Sequence, residues 1–299
     1  MPERVAPRSS IAAALEQAGE RLAAAGLPNP RREATALWAA VAATKPGDVW
    51  LRRGQTPPLE LVERFAGVVE RRSRGVPFAY AVGRVGFRTL DLTLDPRALI
   101  PRPETEGLVD LVLKWAGPGA RGQDPGPRGV VADVGTGCGC LALALAVEGA
   151  FERVIAVERS PDAASLAREN VARVRPRVPV EIREGDLLAP LGDQHCRVIV
   201  ANPPYLTEAE YATLDAAVRD FEPREALVSG VDGLDATRAL LAGAAACMAP
   251  QGLLAIEIDE RRAEQVREFA LGCGWDRVAV HDDLFGRPRF VLAFAKEEA

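Results

Sequence analysis

Beyond residue 130 the chain alternates short apolar runs with longer amphipathic stretches. Runs rich in Val, Ile, Leu and Ala predict seven strands, at 130–134, 153–157, 178–183, 197–201, 253–258, 277–280 and 289–295. Apolar residues at helical spacing predict helices at 141–148, 161–174, 234–248 and 261–271. This alternation is typical of an α/β fold in which helices cover both faces of a sheet. Residues 282–288 are too few for a parallel crossover, so we expect the last strand to be antiparallel to its predecessor.

The N-terminal part of the chain shows helical spacing without strand patterns. Ser10 is a suitable helix cap, and apolar positions recur after it until Gly26 and a proline interrupt the pattern. Two further helical stretches occupy 30–43 and 58–73. We therefore expect a small helical bundle that precedes the α/β part of the chain.

Between these two parts the spacing of apolar residues changes from the helical period to a period of two residues. The change extends from Ala79 to Leu94 and predicts a β-hairpin, with turn or bulge positions at 83–86. The segment 117–129 is rich in Gly and Pro, which predicts an exposed loop. The expected domains are a helical bundle at 1–78, a hairpin linker at 79–100 and an α/β domain at 101–299.

Charge and composition restrict the partners of the protein. Of 299 residues 48% are hydrophobic, and the net charge of −5 argues against a general polyanion binder, so we expect no direct nucleic-acid partner. Residues 1–75 hold 12 Lys and Arg against 8 Asp and Glu, whereas the remainder holds 25 against 34. Solvated helix faces explain the positive N-terminal part, and the alternative is a surface for an acidic protein partner.

Cysteine usage and hydropathy predict the compartment. The five cysteines and two histidines show no metal-binding spacing, so we expect reduced thiols, no metal and a cytoplasmic protein. No apolar run reaches the roughly 20 residues that a membrane span requires, and the N-terminus lacks a signal-like apolar segment. We expect neither membrane insertion nor secretion, and a monomer.

The segment from Val198 to Leu206 carries the most distinctive candidate chemistry. Three β-branched residues form a buried strand that two prolines end, so Asn202 and Tyr205 are presented at its carboxyl edge, where α/β sheets bind ligands. The Asn202 side-chain oxygen and the Pro203 carbonyl accept hydrogen bonds, and Tyr205 offers a flat face. Together with Pro204 they suit a planar group bearing an NH2, either a carboxamide or an exocyclic base amine. The alternative is that Asn-Pro-Pro only ends a strand in a turn.

A second cluster of candidate residues follows the first three predicted strands. Asp133 precedes a loop whose glycines allow close backbone approach to a ligand, and its carboxylate suits an ammonium group, directly or through water. Glu158 ends the second strand, at a position where an acid can accept hydrogen bonds from both hydroxyls of a ribose. The alternative is that Glu158 supplies a negative charge to the N-terminus of the following helix. Asp186 and Leu187 follow the third strand, where they suit an adenine amino group and ring; Asp186 is alternatively a turn residue. The loop residues are Gly135, Thr136, Gly137, Cys138 and Gly139.

With these motifs the chain resembles S-adenosylmethionine-dependent methyltransferases of the seven-stranded Rossmann-like class. More narrowly it resembles the protein-(glutamine-N5) methyltransferases of peptide chain release factors, the HemK/PrmC family. Asn-Pro-Pro-Tyr alone also occurs in adenine-N6 and some guanine RNA methyltransferases. The resemblance covers nearly the whole chain through Ile100-Pro-Arg-Pro-Glu-Thr-Glu106, the 135–139 loop, Val200-Ala-Asn-Pro-Pro-Tyr205, Glu222-Pro-Arg224, Asp232-Gly-Leu234 and Asp283-Leu-Phe-Gly-Arg287.

The resemblance implies specific roles for the matching positions. It implies that the 135–139 loop, Glu158, Leu187 and Asn202 contact S-adenosylmethionine, and that residues 202–205 hold the glutamine amide of a class I release factor. It also implies an N-terminal domain that recognises the substrate and a catalytic domain with a seven-stranded sheet. The sequence departs from the family pattern at Glu158, Leu187 and Cys138, where a shorter aspartate, an aromatic residue and a small hydroxyl residue are frequent.

Two other functions remain open at this level. A nucleic-acid adenine-N6 methyltransferase would share residues 202–205 but requires a basic groove, which the acidic α/β part disfavours. A non-catalytic adenosyl-binding adaptor would act through its N-terminal domain, and the intact 202–205 and 135–139 segments disfavour it. We therefore expect direct methyl transfer to an amide nitrogen held by Asn202, Pro203 and Tyr205.

Overall fold

The computed structural model describes residues 10–117 and 129–296, which form two compact units. The helical unit contains residues 10–83 and 216–221, and the sheet unit contains the other described residues. The loop predicted at 117–129 lies, apart from its two end residues, outside the described part of the chain. Within the described ranges, every helix is too short or too polar to cross a lipid bilayer.

Within residues 10–83 the helical unit contains the three predicted helices and two short ones that the sequence pattern did not reveal. Ser10 caps the first helix by accepting a hydrogen bond from the Ala13 amide at 3.2 Å, as expected. Trp38 and Phe65 are buried and meet edge to face, with 4.8 Å between their ring centroids. The helices of residues 10–83 are α1 (Ile11–Ala24), α2 (Pro30–Val41), α3 (Pro46–Arg52), α4 (Leu59–Ser73) and α5 (Phe78–Val82).

The hairpin begins at Arg84, so the strand pattern predicted from Ala79 was wrong for its first residues. Pro77 precedes α5 with a φ angle of −51°, and Gly83 ends this helix with a φ of +80°. The hairpin strands β1 (Arg84–Phe87) and β2 (Leu90–Thr93) are antiparallel. Their turn lies at Arg88 and not at 83–86, because the Arg88 amide and side chain bond to acceptors on neighbouring helices.

Seven strands form one mixed sheet in the order β5-β4-β3-β6-β7-β9-β8. The first five are parallel, and β9 is antiparallel to both of its neighbours, which confirms the predicted fold class and final hairpin. The strands are β3 (Val130–Val134), β4 (Arg153–Glu158), β5 (Val180–Glu184), β6 (Cys196–Ala201), β7 (Met248–Glu257), β8 (Arg277–Asp282) and β9 (Pro288–Phe294). Since β3 lies between β4 and β6, the strand order reverses there and leaves a crevice at the carboxyl edge.

The helices that follow the hairpin include the four predicted ones, of which the one before β7 is shorter than expected, and two short ones at 208–212 and 216–219 that the sequence pattern did not reveal. The helices after the hairpin are α6 (Glu106–Ala116), α7 (Cys140–Glu148), α8 (Pro161–Val174), α9 (Glu208–Ala212), α10 (Ala216–Arg219), α11 (Asp235–Gly243) and α12 (Ala263–Gly272). The helix predicted at 234–248 ends at Gly243, and β7 begins at Met248, five residues before the predicted start. Met248 pairs with Cys196 of β6, so it belongs to the sheet although the local spacing of its apolar neighbours also fits a helix.

Candidate active site

A cavity of about 720 Å³ opens at the carboxyl edge of β3, β4, β5 and β6. This edge contains the crevice where the strand order reverses, the place expected of a ligand site in an open α/β sheet. Of the residues proposed from sequence, the lining includes Gly135, Gly137, Glu158, Asp186, Leu187, Asn202, Pro203 and Pro204. Further lining residues include Arg97, Ala98, Leu99, Ser160, Pro223, Ser229 and Gly230.

The glycine loop leaves space for a ligand against its backbone. Gly135 has a φ of +75°, and a Cβ placed on it would meet no described atom within 4 Å. The amides of Gly135 and Thr136 both donate to the Val157 carbonyl, at 2.9 and 3.0 Å, so β4 fixes the loop from behind. A side chain at position 135 would strain the backbone and project into this space. The loop therefore has the shape of a cradle for a closely approaching ligand.

Asp133 lies behind the loop and not in the cavity lining. Its Oδ2 accepts hydrogen bonds from the Thr136 hydroxyl at 2.6 Å and from the Ala142 amide at 3.0 Å. Its Oδ1 is buried without a hydrogen-bond partner among the described residues. Burial raises the pKa of Asp133 to about 7, although both hydrogen bonds oppose the shift. The orphaned oxygen is a suitable acceptor for a cationic group, directly or through water. No described contact tests this ammonium-binding role of Asp133, so it stays a prediction.

Cys138 and Gly139 also support the loop from outside the cavity lining. The buried Cys138 uses its carbonyl oxygen to accept a hydrogen bond from the Asn170 side-chain amide at 2.9 Å. Asn170 is itself buried and exchanges two hydrogen bonds with the backbone of Thr93. These contacts join the loop to α8 and to the hairpin. The contact predicted between Cys138 and a ligand stays a prediction.

Glu158 combines the two roles that the sequence left as alternatives. Its Oε1 accepts from the Ser160 amide at 2.9 Å, beside the start of α8, and its Oε2 accepts from the Gly137 amide at 2.8 Å. The carboxylate also lines the cavity. Each oxygen has a second lone pair for a ligand hydroxyl. Glu158 therefore joins the glycine loop to α8 and offers two acceptors to a ligand.

Asp186 and Leu187 reach the cavity from the turn after β5. Gly185 and Leu187 have φ angles of +149° and +46°, so the chain makes a sharp turn there. Asp186 is largely exposed and lies 3.9 Å from Arg159, which makes a weak surface ion pair. Leu187 packs partly against the core of the sheet unit. The turn presents one carboxylate and one apolar side chain to the cavity.

The Asn202 amide is oriented by two buried side chains: Thr105, which the sequence analysis named only as part of the 100–106 motif, and Glu257, which it missed. Its Nδ2 donates to the Thr105 hydroxyl at 3.2 Å, and this hydroxyl donates to Oε2 of Glu257 at 2.7 Å. Thr105 and Glu257 are 2% and 1% exposed. Burial raises the pKa of Glu257 to about 7. A signal was available in the sequence, because Glu257 is an acid at the end of an otherwise apolar strand.

Pro203, Pro204 and Tyr205 continue the chain from Asn202 along the cavity. Both prolines belong to its lining, whereas Tyr205 is half-buried and lies outside it. Burial raises the pKa of Tyr205 to about 12, so its hydroxyl is neutral at physiological pH. A Cβ on Gly233 would collide with the Tyr205 carbonyl oxygen, which explains the glycine of the Asp232-Gly-Leu234 motif. The motif therefore packs against the Asn-Pro-Pro-Tyr segment.

Two further sequence motifs, 100–106 and 222–224, are joined to each other beside the cavity. Glu222 is buried and accepts hydrogen bonds from the Ile100 amide at 3.1 Å and from Arg102 at 2.7 Å. Arg224 instead forms an exposed ion pair with Glu208. Glu222 thus anchors the segment that leads to Thr105, whereas Arg224 lies at the surface.

Two family models match the chain. The PrmC N-terminal domain matches residues 13–83, and the methyltransferase small domain matches residues 123–225. A release factor glutamine methyltransferase of Moorella thermoacetica is 40% identical over 288 residues, which cover 95% of this chain and 98% of the relative. One of Deinococcus radiodurans is 41% identical over 279 residues, which cover 93% and 96%.

Solved structures of low sequence identity share the fold. A methyltransferase from Pyrococcus furiosus is 21% identical with a TM-score of 0.51, and the match covers 79% of this chain and 99% of that chain. The catalytic domain of hMettl16, solved with an MAT2A 3'UTR hairpin, is 15% identical with a TM-score of 0.54, covering 80% and 82%. These likenesses show a methyltransferase fold and no particular substrate.

Proposed function

Because the chain belongs to the release factor glutamine methyltransferase family, we propose that it methylates the side-chain amide of a glutamine in peptide chain release factors. The similarity extends over 95% of this chain and 98% of the Moorella thermoacetica relative. The observation that carries the proposal is the Asn202 amide, oriented at the cavity wall by buried hydrogen bonds. The expected substrate residue is the glutamine of the Gly-Gly-Gln loop in class I release factors.

S-adenosylmethionine is the proposed methyl donor, and its sulfonium supplies the electrophilic methyl group. Glu158 would bind the two ribose hydroxyls, since its carboxylate lines the cavity and retains acceptor capacity. Asp186 would accept from the adenine amino group, and Leu187 would pack on the ring. The Gly135 backbone leaves room for the methionine part, and the orphaned oxygen of Asp133 would bind its ammonium group through water.

Asn202 and Pro203 would hold the substrate amide for in-line transfer. An amide nitrogen is a poor nucleophile because its lone pair is delocalised into the carbonyl. The Asn202 oxygen and the Pro203 carbonyl would accept its two hydrogens and turn the nitrogen toward the methyl group, with Tyr205 packed on the amide plane and Pro204 lining the wall. The methyl group would leave the sulfonium as the substrate nitrogen bonds to it, and the nitrogen would then lose a proton to solvent. Alignment of this kind is worth about 7–11 kcal/mol in favourable cases.

The helical unit is the proposed recognition domain for the protein substrate. Residues 1–75 carry four more basic than acidic residues, and Trp50 on α3 is 64% exposed beside the Arg53 guanidinium at 4.0 Å. An exposed Trp beside a cation is typical of interface hot spots. The protein is proposed to act as a cytoplasmic monomer without a direct nucleic-acid partner.

Replacing Trp50 with alanine should raise KM for a release factor about 10-fold and leave kcat unchanged. The reason is that the change removes an exposed contact residue of the helical unit without altering the cavity. The measurement is initial-rate methylation over a range of release factor concentrations. Leu59→Ala is a control for general loss of exposed apolar area, because Leu59 is 68% exposed. A wild-type KM for Trp50→Ala would contradict this docking role.

Labelled methyl transfer tests the proposed function directly. Purified protein is mixed with labelled S-adenosylmethionine and offered a class I release factor, its Gly-Gly-Gln glutamine→alanine variant, or adenine-containing DNA and RNA. Label on the intact release factor alone is the expected result. Label on nucleic acid would support an adenine-N6 methyltransferase instead. Cofactor binding without transfer to any acceptor would support the adenosyl-binding adaptor.

A further inference from the structure

Thr105 and Glu257 form a buried hydrogen-bonded chain behind Asn202. Ala201 of β6 pairs with Ile256 of β7, so Asn202 and Glu257 follow neighbouring residues of adjacent parallel strands. Thr105 ends a one-turn 3₁₀ helix at Pro103–Thr105 and bridges the two side chains. Thus three separate segments contribute to one chain of hydrogen bonds.

The direction of the two hydrogen bonds fixes the Asn202 amide. The Thr105 hydroxyl has one hydrogen, and it donates this hydrogen to Glu257. Its oxygen is then available to Asn202 only as an acceptor, so the amide NH2 is held toward Thr105. The amide oxygen consequently lies on the other branch of the side chain, as an acceptor at the cavity wall. A rotated amide would present donors to the NH2 of the substrate and repel it.

Stability alone does not explain an acid at position 257. The residue ends a β7 run in which 252–257 are all buried, and an ionised carboxylate in such surroundings is costly unless it is paired. Replacement of buried polar networks by apolar residues of similar volume is often neutral or stabilising. Glu257 accepts a hydrogen bond from Thr105, which in turn contacts the cavity-lining Asn202. A role in orienting Asn202 therefore explains this buried acid better than stability does.

We propose that Thr105 and Glu257 are positioning residues that hold the Asn202 amide with its oxygen directed at the substrate nitrogen. This inference rests on the proposed function, because it assigns the acceptor role of Asn202. An ionised Glu257 also polarises the chain of hydrogen bonds and makes the Asn202 oxygen a stronger acceptor. That oxygen faces the positive charge that develops on the substrate nitrogen during transfer.

The charged groups around Glu257 determine when this effect operates. Arg289 on β9 and Arg102 favour the carboxylate, whereas Glu104 and burial disfavour it, and the neutral hydroxyl of Tyr205 lies near. The net effect raises the pKa of Glu257 to about 7. Above that pH the carboxylate accepts the Thr105 hydrogen. Below it the protonated acid competes as a donor to Thr105, and the orientation of the amide is lost.

Thr105→Val removes the hydroxyl with little change in shape and should lower kcat about 10-fold, as expected for loss of one orienting hydrogen bond. KM for S-adenosylmethionine should change little. Thr105→Ser should restore most of the rate, because serine keeps the hydroxyl. Thr237→Val is the matched control, since Thr237 is 1% exposed and its hydroxyl has no partner among the described residues. Wild-type kcat in Thr105→Val, or no rescue by serine, would overturn the proposal.

Glu257→Gln provides the second, independent measurement. The wild-type kcat should fall as the pH decreases through about 7, and Glu257→Gln should have a lower kcat with a weaker dependence on pH in that range. The pKa of the buried Asp133 is also raised to about 7, so the ratio of the wild-type kcat to the variant kcat isolates the contribution of Glu257. A ratio that stays constant across this pH range would contradict the proposal.

A measurement without turnover separates this inference from the proposed function. By NMR, the side-chain amide hydrogens of Asn202 should exchange slowly in the wild-type protein and faster in Thr105→Val. Slow exchange in the wild-type protein, faster exchange in Thr105→Val and no methyl transfer to a release factor would refute the proposed substrate. The orientation of the Asn202 amide by Thr105 would still be supported. Equal exchange in both proteins would refute the orientation itself.

Discussion

Asn202→Ala should lower kcat for release factor methylation by about 10²- to 10³-fold, the effect of removing one preorganised polar group that stabilises developing charge. Alanine cannot accept the hydrogens of the substrate amide, so the nitrogen loses its alignment with the methyl group. The measurement is single-turnover methyl transfer with saturating S-adenosylmethionine and release factor. Far-UV circular dichroism and the unfolding midpoint should stay close to those of the wild-type protein, because Asn202 is only partly buried.

Asn202→Asp tests whether methyl transfer requires the amide group of Asn202 or only a side chain of its shape. Aspartate has nearly the same volume, but it places an oxygen against the Thr105 oxygen, whose only hydrogen is donated to Glu257. It also adds a negative charge near a buried acid. We expect a loss of kcat as large as that of Asn202→Ala. Substantial turnover by the aspartate variant would show that the NH2 of Asn202 is unnecessary, and wild-type turnover by Asn202→Ala would refute its catalytic role.

Local sequence patterns predicted the sheet because its central strands are apolar, buried and bounded by polar or turn residues. The β6 strand is an example: its last four residues, 198–201, are fully buried, and the prolines after Asn202 end the run. The same reasoning failed at Phe78–Val82. There the apolar spacing of a few residues fits either a strand or a helix, and the helix is bounded by Pro77 before it and Gly83 at its end.

The candidate site was predictable where it depends on strand ends, and less so where it depends on long-range contacts. Strand ends placed Glu158, Asp186 and Asn202 at one edge, and all three line one cavity. The link from Asn202 through Thr105 to Glu257 joins residues 97 and 152 positions apart in sequence. No local pattern contains such a pairing, because it arises only when β6, β7 and the segment before α6 meet at the edge of the sheet.

Glu158→Ala should weaken S-adenosylmethionine binding about 100-fold, since each hydrogen bond to a charged group contributes about 1.5–3 kcal/mol and 1.4 kcal/mol corresponds to a factor of ten. The change removes both proposed ribose contacts and also frees the Gly137 and Ser160 amides. Isothermal titration calorimetry gives the dissociation constant. At saturating cofactor kcat should stay within a few-fold of the wild-type value, because Asn202 is unchanged.

Glu184→Ala is the matched control for Glu158→Ala. Glu184 pairs with Glu158 across β4 and β5, but it is exposed and forms a surface ion pair with Arg168. Its loss should leave cofactor affinity unchanged. Glu158→Gln should behave like the alanine variant, because one of its two terminal atoms becomes a donor facing a backbone N–H. Wild-type affinity in Glu158→Gln would mean that the carboxylate serves the loop and α8 alone, and that the ribose is bound elsewhere.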